Sequence, residues 1–230
     1  MNFHLSEQLI QHVPSFKVGL IQYENIVVSN IPDQLASRIE LHRHTVELDL
    51  LDQPVTYYEG VREWRQVFKA IGVDPGKYRP SHEALFRRIK AKKPLPEISS
   101  AVSLNNFFSL QYELPLGLYN MENIHGDVTV TLGTSNESFE GLNGRVNSAQ
   151  RKLITKDANG PFGSPVVDSV RTAIDHGTTN GLHVLYIPPS KSEDEAITFT
   201  KHIGDLFTQV HGGQVKTAVL HREQPLAQFI

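Results

Sequence analysis

Asp168, Ser169, Arg171 and Thr172 fall within five consecutive positions. A carboxylate beside hydroxyls at a strand end forms a polar rim for a small ligand. The same residues also suit the outward side of a half-exposed strand. Thr178, Thr179 and Asn180 follow closely, with hydroxyl and amide groups of the kind that bind an amino-acid head group or a ribose. His176 stands beside Gly177 in a turn, as a general-base candidate or a surface histidine.

A second chemistry is electrostatic. The 17 residues from Lys77 to Lys93 hold Lys77, Arg79, Arg87, Arg88, Lys90, Lys92 and Lys93 against one acid, Glu83. Basics on the outer face of a helix, rimmed by Tyr78 and His82, can hold phosphates by charge and by guanidinium forks. The bland alternative is a solvated helix face. Other reactive patterns are missing. There is no Gly-x-Ser-x-Gly elbow, phosphate loop or dinucleotide fingerprint. None of the 11 histidines belongs to a His-Glu-x-x-His set, and His42 and His44 are spaced for different sides of a helix. With no cysteine, a disulfide scaffold, a zinc ribbon and a thiol nucleophile are excluded. No metal or cofactor is expected.

These groups need elements to position them. The 230 residues suit one domain spanning 1–230, with 39% hydrophobic and 20% charged residues and a net charge of −3. The N-terminus lacks a signal-peptide pattern and no apolar run approaches a membrane span, so a soluble, cytoplasmic protein with no membrane partner is expected. Helices are predicted over Ser6 to Val13, Pro32 to Glu47, Glu59 to Ile71, Ser81 to Lys90, Ser99 to Tyr112 and Glu193 to Val210. On the third of these, Val61, Trp64, Val67, Phe68 and Ile71 recur at spacings of three and four, with Trp64 as a core anchor. Ser99 to Tyr112 is apolar on most sides and should be buried, so Asn105 or Asn106 must find hydrogen-bond partners. Strands are predicted within Phe16 to Val28 and over Val128 to Leu132, Lys152 to Thr155, Val166 to Thr172, Leu182 to Ile187 and Gln214 to Leu220. Gly133 to Asn147 reads as loop. Helices crowd the first half and strands the second, which argues an α+β fold.

The order of motifs resembles the B3/B4 domain of the bacterial phenylalanyl-tRNA synthetase β subunit, and still more the free-standing B3/B4-domain proteins. The resemblance covers about residues 78–187. The stand-alone pattern Arg-Pro-Ser-x-Glu-Ala-Leu-x-Arg-Arg is met by Arg79-Pro80-Ser81-His82-Glu83-Ala84-Leu85-Phe86-Arg87-Arg88. A Leu-Pro pair falls on Leu95-Pro96. A Val-Asp-x-x-Asn helix falls on Val102 to Asn106, with Ser103 in place of the Asp. The segment Leu114-Pro115-Leu116-Gly117-Leu118-Tyr119-Asn120 and then Ile124-His125-Gly126 follow in family order. An Arg-Asp-Ser element becomes Val167-Asp168-Ser169, and a later Thr and Asn fall on Thr178 and Asn180.

The resemblance implies an α+β domain with a mixed β-sheet flanked by helices. In the synthetase this domain hydrolyses tyrosine wrongly attached to the phenylalanine tRNA. A histidine of that editing site matches Gly117 here, and the editing glutamate has no acidic match. The implied pocket comprises Asn106, Gly117, Gly126, Asp168, Ser169 and Thr178. Asp168, Ser169 and Thr178 are its catalytic candidates, and Lys77 to Lys93 supplies the RNA contacts. Three functions follow: a module that binds tRNA or aminoacyl-tRNA, a trans-editing hydrolase of mischarged tRNA, or a binder of an amino acid or nucleoside.

Overall fold

The computed structural model describes residues 1–229. The chain begins with strand Asn2–Leu5 (β1) and a short helix, Glu7–His12 (α1), whose Leu9 N–H is capped by the Ser6 hydroxyl at 3.2 Å. Strand Lys17–Glu24 (β2) follows. Four helices come next: Asp33–Asp49 (α2), Glu59–Ala70 (α3), Ser81–Lys90 (α4) and Ser100–Gln111 (α5). Then come Leu116–Asn120 (β3), Val128–Leu132 (β4), Ser138–Glu140 (β5), Val146–Ser148 (β6), Leu153–Asp157 (β7) and Gly160–Gly163 (β8). The chain closes with Gly181–Ile187 (β9), Glu193–His211 (α6), Gln214–Leu220 (β10) and Leu226–Gln228 (β11).

Two sheets carry the fold. One is mixed and runs β11-β1-β4-β7-β8, with β1 and β4 parallel and the other pairs antiparallel. The other runs β10-β2-β9-β3, all antiparallel. The α+β architecture with a mixed sheet and flanking helices therefore holds, but as two layers of strands rather than one. In the second sheet β2 and β9 are interior, and all seven residues of β9 are buried. That is why they read as near-continuous apolar runs rather than alternating ones.

Alternate residues of these strands face different cores. Val18, Leu20, Leu182, Val184 and Tyr186 meet Phe3, Val130, Leu153 and Phe162 of the mixed sheet, with Trp64 of α3 closing the layer. Ile21, Tyr23, Leu185 and Ile187 face α5 and α6 through Phe108, Ile203 and Phe207. Within that second core His183 is fully buried. Its Nδ1 meets the Tyr23 hydroxyl at 2.8 Å and its Nε2 meets Asn105 Oδ1 at 3.1 Å. Asn105 thus provides the buried amide that the apolar helix α5 required. Burial, together with the nearby His211, pushes the His183 pKa down to about 3, so it is a neutral hydrogen-bonding wedge.

Several sequence expectations are corrected. Val166 to Thr172 is not a strand. The Ser164 hydroxyl accepts from the N–H groups of Val166 and Val167 at 3.2 and 3.1 Å, which turns the chain. Ser169 then caps a 3-10 helix, Val170–Thr172. The stretch Gly133 to Asn147 is not all loop, because β5 and β6 pair there as a small ribbon. Strands β3, β8 and β11 have three to five residues each and no clear alternation, and β1 alternates over only four residues. Partners in the sheets, not local pattern, define them.

Between the sheets lies a tight constraint. Tyr119 of β3 folds back over Gly117 and reaches Gly163 of β8. A Cβ built on either glycine would fall inside the contact radius of the Tyr119 ring and hydroxyl. Gly117→Ala is therefore expected to destabilise the fold by about 2–3 kcal/mol through overpacking. In a Tyr119→Ala background the same change should cost at least about 1 kcal/mol less, because the clashing ring is gone. Urea unfolding of the four variants measures this; strictly additive effects would show that Tyr119 does not set the need for glycine.

Candidate functional site

The residues singled out from sequence do not occupy one place. Asp168 sits at the edge of the inter-sheet layer. It is half-buried, and its carboxylate turns inward: Oδ1 accepts from the Tyr119 hydroxyl at 2.7 Å and Oδ2 from the Leu118 N–H at 3.5 Å. Tyr119 continues to the Tyr186 hydroxyl at 3.4 Å, and Tyr186 to Thr155 Oγ1 at 2.7 Å. Desolvation dominates here. It pushes the Asp168 pKa up to about 7, even though both hydrogen bonds favour the charged form. A carboxyl so placed braces Tyr119; its oxygens face protein groups.

The neighbours of Asp168 are likewise engaged. Ser169 is buried and caps Arg171 N–H at 3.2 Å. Arg171 forms a forked pair with Asp157, both contacts at 2.9 Å, and ties the 3-10 helix to the end of β7. Thr178 is buried in a turn, where its hydroxyl accepts from Asp175 N–H at 3.0 Å and lies 3.1 Å from the Asp175 carboxylate. Gly126 takes a left-handed φ of 76° in the turn before β4. His176 is exposed. Among the described residues no group of three or more His, Asp or Glu is placed to hold a metal ion. No helix among them is long and apolar enough to cross a membrane.

The basic segment is also divided. Glu83 is fully buried. Burial alone would raise its pKa, but forked contacts from Arg65 at 2.7 and 3.0 Å and one from Arg87 at 2.8 Å outweigh this and hold it below the usual range. Arg88 donates twice to the Pro94 carbonyl, at 3.1 and 2.8 Å. Lys90 reaches the carbonyls of Leu50 and Gln53. Arg65 and Lys90 tie α4 to other elements, while Arg87 and Arg88 serve contacts within it and just after it. His82 does not rim them: it is fully buried, its ring nitrogens lack partners among the described residues, and burial drives its pKa to about 3.

Four exposed cations remain, at the two ends of α4. Lys77 and Arg79 lie at its entry, where Lys77 and Lys152 both stand over the Tyr78 ring, at 5.6 and 4.2 Å. The Ser81 N–H donates to the Pro165 carbonyl at 2.7 Å, so this end adjoins the turn that leads to Asp168. Lys92 and Lys93 lie at the exit, on the rim of a cleft of about 680 Å³. Its walls come from α2, the segment 92–97 and α5, and include Ser103 and Asn106. The structure thus places Asn106 with two of the predicted basics. Asp168, Ser169 and Thr178 are not among the walls.

Sequence reasoning missed the contribution of α2 to this cleft. Its Arg43 pairs with Glu40 at 2.7 Å and Glu47 at 2.8 Å. The spacings of three and four were legible signals of an ion-paired face, but nothing local showed that the face borders a cleft.

Comparison with known proteins follows this geometry. The B3/4 domain model matches residues 63–197, more than half of the chain. The chain is 25% identical over 214 residues to the uncharacterized protein YhzB of Bacillus subtilis (strain 168), covering 93% of this chain and 96% of that protein. Among solved structures it is similar to an N-terminal fragment of the phenylalanyl-tRNA synthetase β-subunit from Pyrococcus horikoshii, with a TM-score of 0.45 and 12% identity over 93% of this chain. The chain spans about half of that structure, 49% of its length. The matched segment runs from α3 through the basic helix, both glycines beside Tyr119 and strand β9 to the start of α6, and the chain belongs to the B3/4 domain family.

Proposed function

We propose that this B3/4-domain protein binds tRNA or aminoacyl-tRNA and does not hydrolyse it. One observation carries the reading. Lys77, Arg79, Lys92 and Lys93 are exposed and form no ion pair among the described residues, whereas Arg87, Arg88 and Lys90 are engaged with the protein. Helix α4 has 10 residues and so holds the two cationic ends about 15 Å apart. Two such separate points can engage different phosphates of one strand. Tyr78 gathers Lys77 and Lys152 over its ring and so concentrates positive charge at the entry.

The hydrolytic alternative needs a carboxylate or hydroxyl free to place a water against an ester. Asp168, Ser169 and Thr178 each serve internal hydrogen bonds instead. This favours binding over catalysis.

Titration of bulk tRNA into the protein should give an affinity that falls with salt on a log–log slope of about −3 to −4. Lys92→Ala with Lys93→Ala should lower that slope by roughly two, and so should Lys77→Ala with Arg79→Ala, with unfolding midpoints unchanged. Binding that ignores salt, or none at low salt, would rule the reading out.

Asp168 gives a second test. A folded pKa raised to about 7, against roughly 4 in an unfolded chain, means that the ionised form opposes folding as pH rises through 7. The opposition fades as pH falls toward 4. Asp168→Asn, which is neutral throughout, should melt higher than the parent at pH 8, with the difference shrinking at pH 5. It should bind tRNA as the parent does. A parent that accelerates deacylation of mischarged tRNA, with the rate lost in Asp168→Asn, would instead establish a hydrolase.

A further inference from the structure

The cleft beside α2 has a chemistry of its own. At about 680 Å³ it falls within the usual range for small-molecule sites. Its wall includes Ser103, which is only 5% exposed and whose Oγ has no hydrogen-bond partner among the described residues. A buried hydroxyl left unpaired is unfavourable by about 1–3 kcal/mol unless a partner arrives. One helical turn further on, the half-buried Asn106 side chain makes no hydrogen bond to the described residues, unlike Asn105, which holds His183. Ile39, Pro94 and Leu95 supply apolar surface. At the mouth stand Lys92 and Lys93. The one arginine of the cleft, Arg43, is already neutralised by Glu40 and Glu47.

These groups ask for one kind of ligand. It has an anionic group for the two lysines, an apolar face for the apolar wall, and polar edge atoms that can both donate and accept at Ser103 and Asn106. A free amino acid is far too small for the volume, and its ammonium group would compete with the lysines. A metal ion has no cluster of carboxylates or imidazoles to meet. We infer that the cleft between α2 and α5 is a binding site for a nucleoside monophosphate, with the phosphate at Lys92 and Lys93 and the base or ribose at Ser103 and Asn106. Helix α2 lies outside the segment 63–197 that matches the family. Lys92, Lys93, Ser103 and Asn106 lie within that segment, and the two lysines are shared with the RNA surface proposed above.

Isothermal titration of the full chain with the four 5′-ribonucleoside monophosphates tests this, with adenosine and inorganic phosphate as separate arms. At least one nucleotide should bind ten times or more tightly than either adenosine or phosphate. Lys92→Ala with Lys93→Ala should weaken it tenfold or more. Ser103→Ala with Asn106→Ala should weaken it at least fivefold, without loss of fold, because the serine change removes an unpartnered hydroxyl. That pair should leave the salt slope for tRNA unchanged, and Lys77→Ala with Arg79→Ala should weaken tRNA but not the nucleotide. RNA binding and nucleotide binding can thus fail separately. No heat from any of the four nucleotides at millimolar concentration, phosphate binding as tight as nucleotide, or nucleotide affinity unchanged by the Ser103 and Asn106 pair would each overturn the assignment.

Discussion

The phenol of Tyr119 fills the space that side chains at positions 117 and 163 would otherwise need. One ring from β3 therefore determines how closely the two sheets approach at that end. It also determines what can stand beside it. Its hydroxyl must be satisfied once buried, and Asp168 and Tyr186 do that. Asp168 in turn is drawn inward onto the Tyr119 hydroxyl. A position that resembles a catalytic pocket in sequence is thus filled by the chain's own aromatic and its hydrogen-bond partners.

The same logic shapes the basic helix. Buried Glu83 needs cations, and Arg65 and Arg87 supply them. Arg88 covers a carbonyl of the segment after α4, and Lys90 covers carbonyls of the segment after α2. What is left for a partner is the charge at the two ends. Seven basics in a row of 17 residues are therefore less a uniform stripe than a braced helix with two cationic tips. This division also explains why the segment and Asp168 relate only at one end: the entry to α4 touches the turn before Asp168, while the exit opens on the cleft.

Much of the fold was legible in sequence. The stripe of Val61, Trp64, Val67 and Phe68 marked α3, the helix expected over Glu193 to Val210 is α6, and Gly133 to Asn147 is polar but not all loop. Short strands escaped because their identity comes from partners distant in the chain: β1 is defined by residues about 125 and 220 positions away. The element at Val166 to Thr172 misled because its β-branched residues outweighed the turn chemistry of Ser164 and Ser169. The site was legible as residue types but not as geometry. Asn106 and Asp168 both carry polar groups, yet only the packing of α2 on α5 reveals that Asn106 borders a cleft, and only Tyr119 reveals that Asp168 does not.

The central claim is that a polyanion is held by the tips of α4 and not by the Asp168 layer. The most direct measurement is an amide NMR titration of the labelled protein with tRNA at low salt. The account predicts shifts and line broadening clustered at residues 77–79 and 91–97, with the amides of Tyr119, Gly163 and Asp168 unmoved. Perturbation centred on Tyr119, Gly163 and Asp168, with the tips of α4 silent, would contradict it.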